Sequence, residues 1–168
     1  MTREPDAGAA ALSDLLSFPE RSLAVRRAAA RLCARLGWAP VHEVPLPNGR
    51  RADILALRPD GGFACIEVKS GLRDFLTDAK WPEYRDFSDA LYFAVDTDFP
   101  QEVLPGQTGL IVAWEGTAEI VRAAPEHPLT GARRRGLLQR FALIAALRLA
   151  TLEDPAGMAD LRTALRVE

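Results

Sequence analysis

Apolar residues along the chain change their spacing twice, and those changes divide it into predicted elements. Between Glu20 and Leu36 they recur at helical intervals: Leu23, Ala30 and Ala34 share a face with Val25, Ala29, Leu32, Cys33 and Leu36 nearby. Arg21, Arg26, Arg27, Arg31 and Arg35 lie largely elsewhere. An amphipathic helix follows, started at Ser22 or in the Pro19 region, with Gly37 in the left-handed position past its end. Its arginines have two readings, a solvated helix face or contacts to phosphate.

The spacing then shortens to that of strands. Val41 to Leu46 alternates, and Pro47-Asn48-Gly49 is a turn signal. Arg50 to Leu57 and Gly62 to Lys69 are the two clearest strands, joined by Arg58-Pro59-Asp60-Gly61, whose composition suits a tight hairpin. With Pro59 to Gly61 as the loop, the antiparallel register opposes Asp53 to Glu67. Asp53, Leu55 and Leu57 then share a face with Phe63, Cys65, Glu67 and Lys69, while Ala52, Ile54, Ala56, Ala64, Ile66 and Val68 line the other. Both faces are apolar, as in a strand pair covered on two sides.

Leu72 to Lys80 reads as a helix with Leu72, Phe75, Leu76 and Ala79 inward and Asp74 and Asp78 outward, as capping or solvated groups. Pro82 kinks it or opens a second segment through Phe87. Ala90 to Val95 and Gly109 to Trp114 are short buried strands, and Ala118 to Val121 closes a hairpin with the latter across Glu115-Gly116-Thr117. The helical period returns with Leu137, Phe141, Ile144 and Leu147, continuing to about Thr151. Asp154-Pro155-Ala156-Gly157 breaks it, and Met158 to Val167 offers a short final helix. Strands, a helix and more strands predict an α/β layer structure.

A length of 168 residues, 48% hydrophobic and 26% charged, is that of a globular protein, and one domain over residues 19–168 is the expected organisation, preceded by a flexible or loosely docked segment, 1–18. The formal charge of −2 gives no global argument for nucleic-acid binding, so DNA contact has to rest on local basic patches such as Arg133-Arg134-Arg135. Cys33 and Cys65 fall inside apolar patterns and are expected as core thiols in a reducing cytoplasm. No apolar run is long enough for a membrane span, and no secretory signal opens the chain. His42, His127 and the two cysteines lack zinc-ligand spacing.

The chemistry concentrates on Asp53, Glu67 and Lys69. Two carboxylates directly opposed across a hairpin have Cβ atoms about 5 Å apart and repel unless a cation joins them. Hard Mg²⁺ takes such oxygen ligands and keeps several waters, and the Val68 carbonyl offers a third oxygen near the strand end. Lys69, about 6.6 Å along the strand from Glu67, is placed to hold an attacking water and offset charge on a phosphate. The competing reading of Glu-x-Lys is a solvated strand edge.

Asp53 followed by Glu67-Val68-Lys69 across a hairpin resembles the PD-(D/E)XK nuclease superfamily. The wider stretch is similar to the MmcB-like endonucleases of bacterial DNA repair, through Arg50-Arg51-Ala52-Asp53-Ile54, Ile66-Glu67-Val68-Lys69-Ser70, Asp74-Phe75, Asp78 to Asp86 and Leu91 to Val95. It continues through Thr108 to Val112 and Ala124 to His127. The resemblance implies a restriction-endonuclease-like mixed central β-sheet flanked by helices, Mg²⁺ (with Mn²⁺ as a substitute) on Asp53 and Glu67, and a catalytic role for Lys69. Ala52 stands where the superfamily has a proline, which is not a ligand. Glu43 resembles the additional acidic residue of many such nucleases, its other reading being a surface carboxylate. Lys80 and Tyr84 match in position a polar-x-x-x-Tyr element that faces DNA in RecB-like relatives, with Lys in place of Gln. Tyr84 reads equally as a core aromatic, and Trp81 as packing. Arg51 and Ser70, beside the site residues, complete the candidate DNA-contacting set.

Three functions fit this set. The first is a metal-dependent DNA endonuclease in bacterial DNA repair. The second is a catalytically inactive nuclease-fold module that binds branched or damaged DNA or a repair-protein partner; the expected DNA partner in general is single-stranded, branched or damaged. In the third the acidic pair is metal-free and structural. No base-reading motif stands out, so recognition by backbone and shape is expected.

Overall fold

A computed structural model describes residues 17–164, and the predicted N-terminal segment before Ser17 lies outside the described residues. The chain divides into two compact units, residues 1–129 and 130–168. The first holds helix α1 (Phe18–Arg35), strands β1 (Ala39–Pro45), β2 (Arg51–Leu57) and β3 (Phe63–Val68), helix α2 (Leu72–Thr77), a 3-10 helix (Trp81–Phe87), and strands β4 (Ala90–Asp96), β5 (Gly109–Trp114) and β6 (Thr117–Arg122). The second holds α3 (Gly131–Glu153) and α4 (Pro155–Ala164).

The six strands form one sheet in the order β1-β2-β3-β4-β5-β6. The β3–β4 and β4–β5 pairs are parallel and the others antiparallel, so the sheet is mixed. The β2–β3 hairpin has the predicted register, with Ile54 opposite Ile66 and Leu57 opposite Phe63. Its turn closes through the Arg58 N–H on the Gly62 carbonyl at 2.8 Å, with Gly61 at φ 80°. At the other hairpin Glu115 and Gly116 both have positive φ, the type I′ geometry whose twist matches antiparallel strands.

Alternation along the strands separates two cores. Ile54, Ala56, Ala64, Ile66 and Val68 pack with Val25, Ala28, Ala29, Leu32 and Cys33 of α1. On a second cluster, Phe93, Val95, Phe99, Leu104, Leu110 and Val112 pack with Phe75 and Trp81. Both cysteines are buried free thiols. All six residues of β3 are buried, as a strand covered on two sides requires. This is the α/β, restriction-endonuclease-like arrangement expected from the sequence.

Several details depart from expectation. Helix α1 begins at Phe18, earlier than Glu20, because the Glu20 carboxylate accepts the Ser17 N–H at 2.8 Å and its hydroxyl at 2.6 Å. Most of its arginines hold protein: Arg21 pairs with Asp96 at 2.7 Å, Arg31 donates to the Gly116 carbonyl at 3.0 Å, and Arg35 to that of Ala118 at 2.7 Å. They clamp the helix across the sheet.

Strand β1 runs Ala39–Pro45 in place of 41–46. Helix α2 stops at Thr77, and of its expected inner face Phe75 packs on the core while Leu72 and Leu76 are exposed. Asp154 alone separates α3 from α4: its N–H ends the first helix on the Ala150 carbonyl and its carboxylate accepts the Gly157 N–H at 3.0 Å. Pro155 then serves as a first helical residue, not a breaker.

Asp89 ties the strap after β6 to the sheet. It is 2% exposed, and its carboxylate accepts the N–H groups of Phe63 at 2.7 Å and Leu129 at 2.8 Å. Its carbonyl takes the His127 N–H at 2.8 Å.

Candidate metal and nucleic-acid site

The β2–β3 ladder ends at Ile54 and Ile66, one position short of Asp53 and Glu67. Beyond that point side chains replace backbone pairing. The Val68 N–H donates to Asp53 Oδ2 at 2.8 Å, and the Asp53 N–H to Glu67 Oε1 at 3.3 Å. Each carboxylate thus satisfies a backbone donor freed by the opening strands, which keeps both beside each other at the sheet end. Cys65 Sγ lies 3.9 Å from the same Glu67 oxygen.

Two adjacent carboxyl groups in a poorly solvated place resist ionisation together. Burial first, and the Asp53 charge second, push Glu67 up to about 8. Burial also holds Asp53 above the ordinary carboxylate range, against the Val68 N–H, Lys69 and Arg26, which favour its charge. A cation between them would remove both penalties. The donors are all oxygen, the set that suits Mg²⁺ or Mn²⁺. Among the described residues no three His, Cys, Asp or Glu side chains cluster as a metal cage. A metal here would therefore rest on the two carboxylates, a backbone carbonyl and water, which fits the sparse protein ligation usual for Mg²⁺.

Lys69 is 5% exposed, and its ammonium lies 2.5 Å from Asp78 Oδ2. Burial works against the charge, but the Asp78 bond, with Asp74 and Glu67 nearby, lifts its pKa above that of an ordinary lysine. Asp78 in turn accepts the Lys80 N–H through Oδ1 at 3.1 Å. Burial opposes its ionisation, and the Lys69 bond outweighs this, holding it below the usual range. Asp78 thus caps its helix, as expected, and in addition pairs with Lys69. By bonding two residues onward it ends α2, and the same geometry turns its other oxygen to Lys69.

The 3-10 helix is fastened to β2 beside this pair. Arg50 Nε and Nη2 donate to the two oxygens of Glu83 at 2.9 and 3.2 Å, and the Tyr84 hydroxyl donates to the Arg51 carbonyl at 3.2 Å. Tyr84 is buried, the core-aromatic alternative, and Trp81 packs on Phe93 with ring centroids 5.8 Å apart. Ser70 is buried just past Lys69, whereas Lys80 and Arg51 are exposed.

Glu43 sits at the β1 position between the His42–Ile54 and Val44–Ala52 pairs, where Asp53 is its counterpart by register. Its φ of 48° is left-handed, a conformation that costs a non-glycine residue about 1–2 kcal/mol. The carboxylate lies 3.1 Å from Arg26 of α1 and 3.9 Å from Arg51. Pro19, Ser22, Leu23 and Arg26 form one stripe of α1, and with Glu43, Asp53 and Val68 they line a cleft of about 310 Å³. The fold therefore gathers Asp53, Glu67, Val68 and Lys69, sets Glu43 beside Asp53, and adds two residues that were not singled out, Asp78 and Arg26. Arg26 carried no separate signal among five helical arginines.

Known proteins agree with this architecture. The family model described as DNA repair protein MmcB-like matches residues 10–156. A solved protein of unknown function from Silicibacter pomeroyi is 43% identical, with a TM-score of 0.78 over 82% of this chain and 94% of that one. Among curated proteins there is no significant match. With the match running through the whole sheet and the Asp53–Glu67–Lys69 cluster, the chain belongs to the MmcB-like DNA repair protein family.

Proposed function

We propose that this protein is a metal-dependent DNA endonuclease acting in DNA repair. The observation that carries the reading is the pair of abutting carboxyl groups, Asp53 and Glu67, both resisting ionisation through burial, with Lys69 just past the end of β3. A purely structural site would gain little from placing two acids together without a partner between them.

Asp53 and Glu67 would hold Mg²⁺, or Mn²⁺ in its place, with the Val68 carbonyl as a further oxygen. When bound, the ion supplies charge neutralisation at a phosphodiester and an activated water. Lys69 orients that water and offsets charge on the phosphate, while Asp78 keeps the ammonium protonated and aimed. Glu43 stands where it can orient water beside Asp53. Arg51 and Lys80 are proposed to border the DNA path through their exposed side chains, with the buried Ser70 and Tyr84 supporting them from behind. Membership of a DNA repair family supports a nucleic-acid partner, and single-stranded, branched or damaged DNA is the proposed substrate class.

The test is cleavage of single-stranded, duplex, flap and gapped DNA with Mg²⁺ or Mn²⁺. Metal-dependent cutting, lost in Asp53→Ala and Lys69→Ala, is the expected result. Binding without cutting on every substrate would favour a second reading, a DNA-binding or partner-docking module. One observation favours that alternative: Asp53, Glu67 and Lys69 each already hold a protein partner.

A further inference from the structure

The cleft beside Asp53 carries both signs of charge. Its α1 wall presents Ser22 and Arg26, and its sheet wall presents Glu43, Asp53 and Val68. Arg21, Arg31 and Arg35 on the same helix are spent on Asp96 and on backbone carbonyls of β6 and its turn. Arg26 differs in two respects. It faces the cleft, and it pairs with Glu43, a half-exposed carboxylate on a residue held in a left-handed conformation.

We propose that Arg26 is the phosphate ligand that seats a DNA backbone beside Asp53, and that Glu43 occupies the guanidinium as an internal stand-in until a phosphate displaces it. The inference rests on the nucleic-acid reading of the site and adds to it the residue that anchors the strand. A guanidinium offers a planar pair of N–H donors suited equally to a carboxylate or a phosphate, so exchange needs no change in its geometry. Both partners are partly exposed, with side-chain accessibilities of 27% and 45%, so an incoming strand can reach the pair. Displacement would also release Glu43 from Arg26 beside Asp53, with Arg51 still 3.9 Å from its carboxylate. Ser22, four residues before Arg26 and on the same helix face, is positioned to add a hydroxyl contact to the same phosphate.

The test measures binding of fluorescein-labelled single-stranded, duplex and flap DNA to the full-length protein, in chelator, across a salt series. Arg26→Ala should weaken binding and lower the slope of log affinity against log salt by about 1, as the loss of one phosphate contact does. Arg26→Lys should retain most of the slope. Glu43→Gln should bind as tightly as wild type or more tightly, because it releases the guanidinium.

The two signs separate this role from a structural one. If Arg26 served only to position Glu43, Arg26→Ala and Glu43→Gln would weaken binding alike, and that result overturns the proposal. So does an unchanged slope in Arg26→Ala when wild-type protein binds or cuts DNA, an outcome that leaves the nuclease reading standing. Wild-type protein that neither binds nor cuts any of the three DNAs defeats the nucleic-acid reading itself, and this inference with it. Thermal melts of Arg26→Lys and Glu43→Gln, which preserve side-chain size, keep folding defects apart from binding.

Discussion

Replacing Glu67 by Gln should stabilise the metal-free protein, and by an amount that depends on pH. The Glu67 carboxyl titrates near 8 in the fold, against 4.5 in the absence of structure. Between these values the folded chain retains a proton that the unfolded chain releases, so stability falls as pH rises. Below the lower value both states are protonated and nothing is lost; above the upper value the loss is complete. At about 1.4 kcal/mol per unit, the full penalty is on the order of 3–5 kcal/mol.

Gln keeps the oxygen that accepts the Asp53 N–H and removes the charge facing Asp53. Urea unfolding of wild type and Glu67→Gln in chelator should therefore give equal stabilities near pH 4 and a growing advantage for the variant up to about pH 8. Saturating Mg²⁺ should restore stability to wild type at the alkaline end and leave the variant largely unchanged. Parallel stability curves for the two proteins across this range would refute the reasoning. They would mean that the sheet end is better solvated than its packing indicates.

Other expectations concern the supports of the site. Asp78→Ala leaves the Lys69 ammonium buried without its anion and should cost about 3 kcal/mol by denaturant unfolding, whereas Lys69→Met with Asp78→Leu should recover most of it. Asp89→Ala deprives the Phe63 and Leu129 N–H groups of their acceptor and should cost about 2–4 kcal/mol, with faster hydrogen exchange at both amides. Gly109→Ala would place a Cβ 2.2 Å from the Tyr92 ring and 2.9 Å from Ala124 Cβ, and should lower stability by about 1–3 kcal/mol in the same assay.

The β2–β3 hairpin was legible in the sequence because its turn admits few geometries. Once Pro59 to Gly61 forms the loop, strand pleating dictates which residues face one another. Asp53 against Glu67, with Lys69 on the same side, follows without tertiary information. The helix over Glu20 to Leu36 and the strand periods were legible for a similar reason: local geometry alternates side chains between a wet and a dry face.

Other features were not legible because they depend on where an element stops or on what lies across a large sequence separation. Asp78 meets Lys69 only because α2 ends where the Asp78 carboxylate caps Lys80. On a helix continuing to Lys80 it would have stayed on the outer face. Leu72 and Leu76 share a helical face with Phe75 in sequence, yet only Phe75 packs against the core. The arginines of α1 have one chemistry in sequence and several fates in the fold, because Arg21 reaches the end of β4, Arg26 reaches β1, and Arg31 and Arg35 reach the β5–β6 hairpin.

What the sequence determined by itself was the opposition of two acids with a lysine two residues beyond, through short-range turn and pleat geometry. Tertiary structure alone decided the rest. It aligned β3, β4 and β5 in parallel, buried the acids enough to raise their proton affinity, and bent Glu43 into a left-handed conformation next to Arg26. Burial and long-range charge contact are sums over neighbours that a local pattern does not name.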